Sequence, residues 1–218
     1  MKTEEVTVRS TDGLNLQGLI DEPDEARAVL ILCHPHPQMG GTMNAPLLVA
    51  LRDRLVEERW AIVRFNFRGV GTSQGESSTG EAEVADAEGA VSLAGERWPG
   101  VPLAIAGWSF GAAVAVRTAA VQPEIVACIG IAPAVAEKEG ITAGLPDPSD
   151  LDLKAKLLFI CGANDEQVSP DACRAWIDQM QRAEYIEVRG ANHFFWGKYD
   201  DLAELVSGWL EDNVLKSG

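Results

Sequence analysis

Short apolar runs of strand length alternate with longer stretches of helical period along most of this chain. The central runs are continuously apolar, as in Val29-Leu30-Ile31-Leu32, and a strand of that kind is buried on both faces. Strands that alternate with helices pair in parallel and carry helices on both sides of their sheet. The pattern therefore predicts an α/β fold with a mainly parallel, twisted sheet of about eight strands and helices on both faces.

The same pattern predicts how the chain begins, which face of the second helix meets solvent, and where the other strands and helices lie. Glu4–Ser10 and Leu14–Asp21 alternate in polarity around Thr11-Asp12-Gly13, which predicts an N-terminal antiparallel hairpin. On the second helix, Asp86 and Glu88 are predicted to form part of a solvent-exposed face. The other predicted strands are Ala28–His34, Ala61–Arg68, Pro102–Trp108, Ile125–Ala132, Lys156–Gly162 and Glu184–Arg189. The predicted helices are Ala45–Glu58, Gly80–Glu96, Phe110–Val121, Pro170–Gln181 and Tyr199–Leu215.

One segment, Ala134–Lys154, interrupts this alternation. It holds two glycines and two prolines among few apolar residues, and it lies between two predicted strands. Such a segment is either a small lid or loop insertion over a substrate site or a plain surface loop, and the sequence leaves both open. It is too short for a separate cap domain, so residues 1–218 are predicted to form a single domain.

The charge and the N-terminus restrict partners and compartment. The formal net charge of −15 disfavours nucleic acid and anionic membranes as partners, because both bind basic surfaces. No apolar run approaches the ~20 residues of a membrane span, and the acidic start, Met1-Lys2-Thr3-Glu4-Glu5, is unlike a signal peptide. We therefore expect a cytoplasmic protein without a membrane or nucleic-acid partner. The sequence leaves its oligomeric state open.

The four cysteines agree with a reducing compartment. Cys33, Cys128 and Cys161 lie in apolar runs that read as buried strands, and Cys173 lies in a predicted helix. Free cysteines are among the most buried residue types, and disulfides are rare in the cytosol. All four are predicted to be reduced core thiols.

Two pentapeptides match Gly-x-Ser-x-Gly, the pattern of a nucleophilic serine at a sharp turn between strand and helix. They are Gly71-Thr72-Ser73-Gln74-Gly75 and Gly107-Trp108-Ser109-Phe110-Gly111. Only the second directly follows a predicted buried strand and directly precedes a predicted helix, which is the setting such a serine requires. The first lies in a polar loop past its strand and is interpreted as a glycine-rich turn. Ser109 is therefore the predicted nucleophile.

A serine hydroxyl needs a general base, which near neutral pH is usually a histidine. The chain has three: His34 and His36 after an early strand, and His193 after the last strand. The chain order serine, acid, histidine of sheet-and-helix serine hydrolases selects His193. Asp165, which follows the penultimate strand, is the predicted acid that orients its imidazole. The nearby acids that stay open as alternatives are Glu166 and Asp171.

The carbonyl oxygen of a substrate needs backbone N–H donors, which together form an oxyanion hole. One is expected from Phe110, directly after the serine, and the other from the loop after the first parallel strand. The prolines on both sides of His36 have no N–H, so His36 is the predicted second donor, with Gln38 and Met39 as alternatives. The candidate substrate contacts are Trp108, Phe110, Gln38 and Met39.

No cofactor or metal is expected, because a serine, a histidine and an acid suffice for acyl transfer. His34 and His36 form the only pair with metal-like spacing, and no further ligand accompanies them. The aromatic run of Phe194, Phe195 and Trp196 fits either an acyl site or the core, and the sequence does not decide between the two.

These motifs resemble the α/β-hydrolase superfamily, most closely its small, lid-poor branch of dienelactone-hydrolase-like and prolyl-oligopeptidase-like esterases. The resemblance covers nearly the whole chain, from the His34–Gly41 loop through the Asn66–Ser73 turn to the His193 loop. His-Pro-His-Pro with a following Gly-Gly is similar to a group of uncharacterised bacterial hydrolases. The stretch Asp165–Pro170 is similar to the family's Asp-x-x-Val-x-Pro, which favours Asp165 as the acid.

Two departures from that family bear on the expected chemistry. Dienelactone hydrolases use cysteine at the position of Ser109, and the family's His-Gly oxyanion motif is His34-Pro35 in this chain. The resemblance still implies a serine hydrolase that cleaves small carboxylic esters, or thioesters, through an acyl-enzyme on Ser109. A small peptidase or amidase with the same three residues, and a non-catalytic binding protein on this fold, are the alternatives.

Overall fold

The computed structural model describes residues 2–180 and 182–216, which contain eight strands and five α-helices. The strands are β1 (Lys2–Arg9), β2 (Asn15–Glu22), β3 (Ala28–Cys33), β4 (Trp60–Phe65), β5 (Leu103–Trp108), β6 (Ile125–Ile131), β7 (Lys156–Gly162) and β8 (Ala183–Val188). The helices are α1 (Pro46–Glu57), α2 (Glu83–Arg97), α3 (Phe110–Val121), α4 (Pro170–Ile177) and α5 (Tyr199–Leu210). Each predicted strand and helix has its counterpart.

All eight strands form one sheet in the order β1-β2-β4-β3-β5-β6-β7-β8. β1 and β2 form the predicted antiparallel hairpin, and β2 joins β4 antiparallel. Every other neighbouring pair is parallel, which confirms the mainly parallel sheet. The carboxyl ends of β3 to β8 therefore meet along one edge, where the loops that follow them can share a site.

Helices cover both faces of the sheet, as predicted. The core on one side packs α2, α3 and α4 against it, and the core on the other side packs α1 and α5. Strands β3, β4 and β5 are buried along their whole length. Each large apolar side chain buried in these layers contributes about 1.5–3 kcal/mol. The two layers therefore hold the carboxyl-end loops on a rigid support.

β4 ends at Phe65, earlier than the predicted Arg68, because a buried carboxylate turns the chain. Asp86 on α2 accepts hydrogen bonds from the Arg68 backbone N–H at 2.9 Å and from its guanidinium at 2.7 Å. The prediction that Asp86 faces solvent is wrong, since its side chain is fully buried. Burial raises the pKa of Asp86, and the negative charge of Glu83 adds to this rise. The Arg68 bonds oppose the rise without cancelling it.

Helix α2 begins at Glu83 rather than at the predicted Gly80, and a second buried carboxylate accounts for the difference. Glu83 accepts hydrogen bonds from the backbone N–H of Ser78 at 2.6 Å and of Gly80 at 3.0 Å. These bonds hold residues 77–80 as a loop before the helix begins.

The C-terminal helices are shorter than predicted. α4 ends at Ile177, and the predicted end, Gln181, lies outside the described residues. α5 ends at Leu210 and continues as a π-helical turn over Glu211–Leu215. Among residues 2–180 and 182–216 no helix has the length and apolar character to cross a membrane. All four cysteines are buried and free.

Candidate active site

Ser109 lies at a sharp turn where β5 passes directly into α3. Its backbone has φ +55° and ψ −113°, a strained conformation that concentrates at functional sites. The two neighbouring glycines make the turn sterically feasible. A Cβ on Gly107 would lie 2.1 Å from the Gly111 carbonyl oxygen, and a Cβ on Gly111 would lie 2.3 Å from the Cys33 carbonyl oxygen. The first turn of α3 therefore packs directly on the ends of β3 and β5.

The structure brings the predicted serine, histidine and acid into one line of hydrogen bonds. His193 Nε2 lies 3.1 Å from Ser109 Oγ, and His193 Nδ1 lies 2.8 Å from Asp165 Oδ2. A carboxylate only accepts hydrogen bonds, so Nδ1 carries the proton and Nε2 presents its lone pair to the serine hydroxyl. That arrangement is the one a general base needs before it takes the serine proton.

Asp165 is held by its own loop as well as by His193. Its Oδ1 accepts hydrogen bonds from the backbone N–H groups of Gln167 and Val168, each at 2.8 Å. Burial alone would raise the pKa of Asp165, but the bonds from His193 and these amides outweigh burial and lower the pKa below its usual value. The alternatives Glu166 and Asp171 are exposed. Asp165 is thus the acid that contacts His193.

Two backbone N–H groups beside Ser109 are free to bind an oxyanion. In the described residues, neither the N–H of Phe110, at the N-terminus of α3, nor that of His36 donates to a protein acceptor. The other predicted donors are engaged within their loop: Gln38 N–H donates to His36 Nδ1 and Met39 N–H to the His36 carbonyl, both at 3.1 Å. The positive end of the α3 dipole adds to the attraction for negative charge.

His34, fully buried behind the site, fixes the peptide that carries the His36 N–H. Its Nε2 accepts the Phe67 N–H at 3.0 Å, so the ring proton is on Nδ1, which donates to the Pro35 carbonyl at 2.6 Å. That carbonyl and the His36 N–H belong to the same planar peptide unit. Burial lowers the pKa of His34 to about 4, which keeps the ring neutral. No sequence pattern pointed to this function of His34.

The His36 side chain joins this loop to the segment Ala134–Lys154. Its Nδ1 accepts the Gln38 N–H, its Nε2 donates to the Ile141 carbonyl at 2.9 Å, and its ring lies 4.9 Å from that of Phe110. All four ring nitrogens of His34 and His36 thus have backbone partners, so this pair offers no free nitrogen to a metal.

A cavity of about 250 Å³ opens beside Ser109 and His193. Its apolar lining includes Phe110, Val135, Ile141, Val168 and Ala172, and its polar lining includes His36, Lys138, Thr142, Gln167 and Ser169. Of the predicted substrate contacts, Phe110 and Met39 line it, whereas Trp108 and Gln38 do not. Trp108 instead donates from Nε1 to the His193 carbonyl at 3.1 Å, so it stabilises the loop that carries His193.

Residues 134–142 of the irregular segment form one wall of this cavity. The Ala134 N–H donates to the Ser109 carbonyl at 3.2 Å. Arg117 on α3 donates to the carbonyls of Ala143 and Gly144 at 3.3 and 3.0 Å. Trp176 on α4 donates to the Pro146 carbonyl at 2.8 Å. The sequence did not identify these wall residues, because the segment has neither helical nor strand period.

The remaining sequence features lie away from the cavity. Ser73, in the first Gly-x-Ser-x-Gly match, donates to the Asn66 carbonyl at 2.8 Å and accepts the Gln17 N–H at 3.0 Å, so its hydroxyl stabilises a turn. In the aromatic run, Phe195 is fully buried in the core, and Trp196 is 67% exposed and stacks on the neighbouring phenylalanine. None of these side chains lines the cavity.

Comparisons with known proteins agree with this architecture. The family described as serine aminopeptidase, S33, matches residues 24–151, which include Ser109. An α/β serine hydrolase without lid from Xanthomonas campestris is 29% identical and superposes with a TM-score of 0.86 over 97% of this chain and 95% of its own. An α/β serine hydrolase homologue from Coxiella burnetii is 33% identical, with a TM-score of 0.84 over 96% of this chain and 98% of its own.

A comparison of sequences adds a further relative. An uncharacterised protein of Rickettsia prowazekii is 29% identical over 193 residues, which are 84% of this chain and 78% of that protein. Both the family match and the two solved structures cover more than half of the chain. The chain belongs to the α/β-hydrolase superfamily, as a serine hydrolase of the serine aminopeptidase S33 family.

Proposed function

We propose that this protein hydrolyses small carboxylic esters through an acyl-enzyme on Ser109. The observation that carries the proposal is the line of hydrogen bonds from Ser109 Oγ through His193 to Asp165, at 3.1 and 2.8 Å. It lies at the wall of a cavity of about 250 Å³ with a largely apolar lining. A hydroxyl, a base and an orienting carboxylate in that geometry are the parts that acyl transfer requires.

In the first half of the reaction, Ser109 Oγ attacks the substrate carbonyl carbon while His193 Nε2 takes the hydroxyl proton. The carbonyl oxygen becomes an oxyanion that accepts hydrogen bonds from the backbone N–H groups of Phe110 and His36. Each such donor typically contributes about 10²–10³-fold in rate. The carbon–oxygen bond to the alcohol then breaks, and the imidazolium returns its proton to the leaving alkoxide.

In the second half, water attacks the acyl-enzyme while His193 Nε2 accepts a proton from it. The second tetrahedral intermediate uses the same two N–H groups, and its collapse releases the carboxylic acid and restores the Ser109 hydroxyl. Asp165 stays ionised and stabilises the imidazolium in both halves. Thioesters fit the same scheme, because the acyl part and the attacking serine are unchanged.

The family description favours a second candidate, an aminopeptidase or amidase with the same three residues. An aminopeptidase must bind the ammonium group of its substrate, for which a carboxylate in the cavity is the natural partner. Among the described residues that line this cavity there is no Asp or Glu, and the charged side chain present is Lys138. We therefore favour ester hydrolysis over peptide or amide hydrolysis. A non-catalytic binding protein would have no need of an intact serine, histidine and acid.

The same observations support proposals for where the protein acts. Four free, buried cysteines suit the reducing cytoplasm, which supports the proposal that the protein acts there. A net charge of −15 makes nucleic acid and anionic membranes poor partners. We propose a small-molecule ester as its partner, without a cofactor.

The experiment that tests this function compares the wild type with Ser109→Ala on 4-nitrophenyl esters of short acids and on aminoacyl 4-nitroanilides. We expect ester hydrolysis that falls by about 10³-fold or more in Ser109→Ala. Ser73→Ala, in the other Gly-x-Ser-x-Gly match, is the matched control and keeps its activity. Ester hydrolysis that survives Ser109→Ala would refute the proposal, and a higher kcat/KM on the anilides would assign a peptidase instead.

A further inference from the structure

The cavity differs in charge from the molecule around it. The chain carries 33 acidic and 18 basic residues, yet among the described residues no carboxylate lines the cavity. Both carboxylate oxygens of Asp165, which contacts His193, already accept hydrogen bonds from His193 and from backbone N–H groups. Lys138 is the one lysine or arginine in the lining. A ligand in this cavity therefore meets a positive group on an otherwise acidic protein.

Lys138 has no carboxylate partner of its own within the residues described. None of the ion pairs there includes it, although Glu137 and Glu139 flank it in the chain. Most of the arginines, in contrast, are paired with a carboxylate, Arg68 and Arg97 among them. The Lys138 ammonium is thus available to an external anion.

The backbone of Lys138 is held firmly relative to the reacting groups. Its N–H donates to the Thr142 carbonyl at 2.8 Å and its carbonyl accepts the Thr142 N–H at 2.9 Å, which closes a tight turn. The same turn is tied to the loop after β3 by the bond from His36 Nε2 to the Ile141 carbonyl. Arg117 anchors the chain directly after the turn. The exposed lysine side chain thus extends from a fixed backbone at the edge of the cavity.

We propose that this cavity selects esters that carry a negatively charged group, such as a carboxylate, away from the scissile bond, with Lys138 as the residue that binds it. The apolar side chains of Val135, Ile141 and Val168 would contact the hydrocarbon between the ester and the carboxylate. The inference rests on the proposed ester hydrolysis at Ser109. The carboxylate can belong to the acyl or to the alcohol part of the substrate.

Matched esters that differ only in charge test this selection. For the acyl part, monoethyl adipate is compared with ethyl hexanoate and with the cationic ethyl 6-aminohexanoate. For the alcohol part, 4-[(butanoyloxy)methyl]benzoate is compared with 4-methylbenzyl butanoate, whose leaving alcohols have nearly the same acidity. The readout is the ratio of kcat/KM for the charged ester to that for its neutral partner. An arm whose ratio is above one in wild type and falls in Lys138→Gln identifies the part of the substrate that carries the anion.

In wild type we expect the anionic ester to be preferred in at least one arm. An exposed ion pair supports a selectivity of about 1.5- to 5-fold, and we expect Lys138→Gln to remove it. Lys138→Glu is expected to reverse the preference toward the 6-aminohexanoate ester. In 0.5 M NaCl, where the Debye length is about 4 Å, the difference in this ratio between wild type and Lys138→Gln should shrink. Lys2→Gln, at an exposed lysine on the outer strand β1, is the control and keeps the wild-type ratio.

The outcomes separate this inference from the proposed function. Ser109-dependent hydrolysis with the same charge ratio in wild type and Lys138→Gln overturns the selection by Lys138 and leaves ester hydrolysis standing. No Ser109-dependent hydrolysis of any of these esters overturns the proposed function itself. A preference for the ammonium ester in wild type contradicts the selection and supports the aminopeptidase alternative.

Discussion

His34 and His36 are two residues apart, and the structure gives them different surroundings. The His36 ring links the loop after β3 to the cavity wall through its bond to the Ile141 carbonyl. The His34 ring lies in the core and donates a hydrogen bond to the Pro35 carbonyl. We infer that His34 is a positioning residue, because the bond at Pro35 fixes the direction of the next N–H. An oxyanion donor acts only when it is aimed before the reaction starts.

This inference predicts a specific kinetic defect in His34→Leu. Without the ring N–H, the Pro35–His36 peptide can rotate, so we expect kcat to fall by about 10- to 100-fold, less than the ~10²–10³-fold of losing a donor outright. KM for a neutral ester should change little, because the cavity wall is intact. His34→Asn, whose amide N–H can occupy the place of Nδ1–H, should recover much of the loss. A folded His34→Leu protein with wild-type kcat would contradict this function of His34.

The low pKa of His34 also predicts a pH dependence of stability. In the unfolded chain the pKa of this histidine is about 6.5, and in the fold burial lowers it to about 4. Above pH 6.5 both states are neutral and the full stability is present. As the pH falls from about 6.5 toward 4, the unfolded state binds the proton first, so about 2–3 kcal/mol of the free energy of unfolding is lost.

Urea unfolding at pH 7.0, 5.5 and 4.5 measures this effect. The wild type should lose more stability over that range than His34→Asn, which lacks the titrating group. Equal losses in the two proteins would show that His34 does not titrate with a lowered pKa.

Helix α3 meets the sheet without space for a side chain at Gly111. A methyl group there would lie 2.3 Å from the Cys33 carbonyl oxygen and 2.4 Å from the His34 carbonyl oxygen. Gly111→Ala must therefore push the helix away from β3, and we expect a loss of about 1–3 kcal/mol in stability together with a large loss of kcat.

Gly95→Ala in α2 is the matched control for this steric argument. No atom lies within 4 Å of a Cβ at Gly95, so the same change in a helix interior should stabilise the protein by about 0.5–1 kcal/mol. Thermal unfolding and ester kinetics of the two variants provide the test. A Gly111→Ala protein that behaves like Gly95→Ala would contradict the close packing of α3 on β3.

The elements were predictable from sequence where a single local pattern determines them. Continuous apolar runs located β3 to β7, and strand, glycine turn and helix in succession located Ser109. The errors arise where distant groups decide the structure: Asp86 binds Arg68, 18 positions away, and thereby ends β4 early. The wall residue Lys138 was missed for a related reason, because its place depends on bonds from His36 and Arg117 to an aperiodic segment.

The buried thiols predict how the folded protein reacts with thiol reagents. All four cysteines are free and buried, and burial raises the pKa of Cys128 to about 12. A thiolate is the reactive species, so the native protein should react with Ellman's reagent slowly at pH 8. In guanidinium chloride all four thiols should react. Fewer than four reactive thiols in denaturant, or a lower melting temperature after reduction, would reveal a disulfide that the structure lacks.

The charge distribution of the molecule bears on how substrates reach it. A net charge of −15 repels anions at long range, whereas the cavity presents Lys138 at short range. Salt screens both, but it screens the long-range repulsion between exposed charges most completely. Recognition of an anionic ester would then depend on contact inside the cavity rather than on steering from a distance.

Covalent labelling shows whether Ser109 is the nucleophile. The native protein is treated with a fluorophosphonate, digested, and analysed by mass spectrometry for the modified residue. We expect stoichiometric modification of Ser109, retained in Ser73→Ala and strongly slowed in His193→Ala, since the base at 3.1 Å activates the hydroxyl. Modification at another residue, or an unmodified native protein, would contradict this expectation.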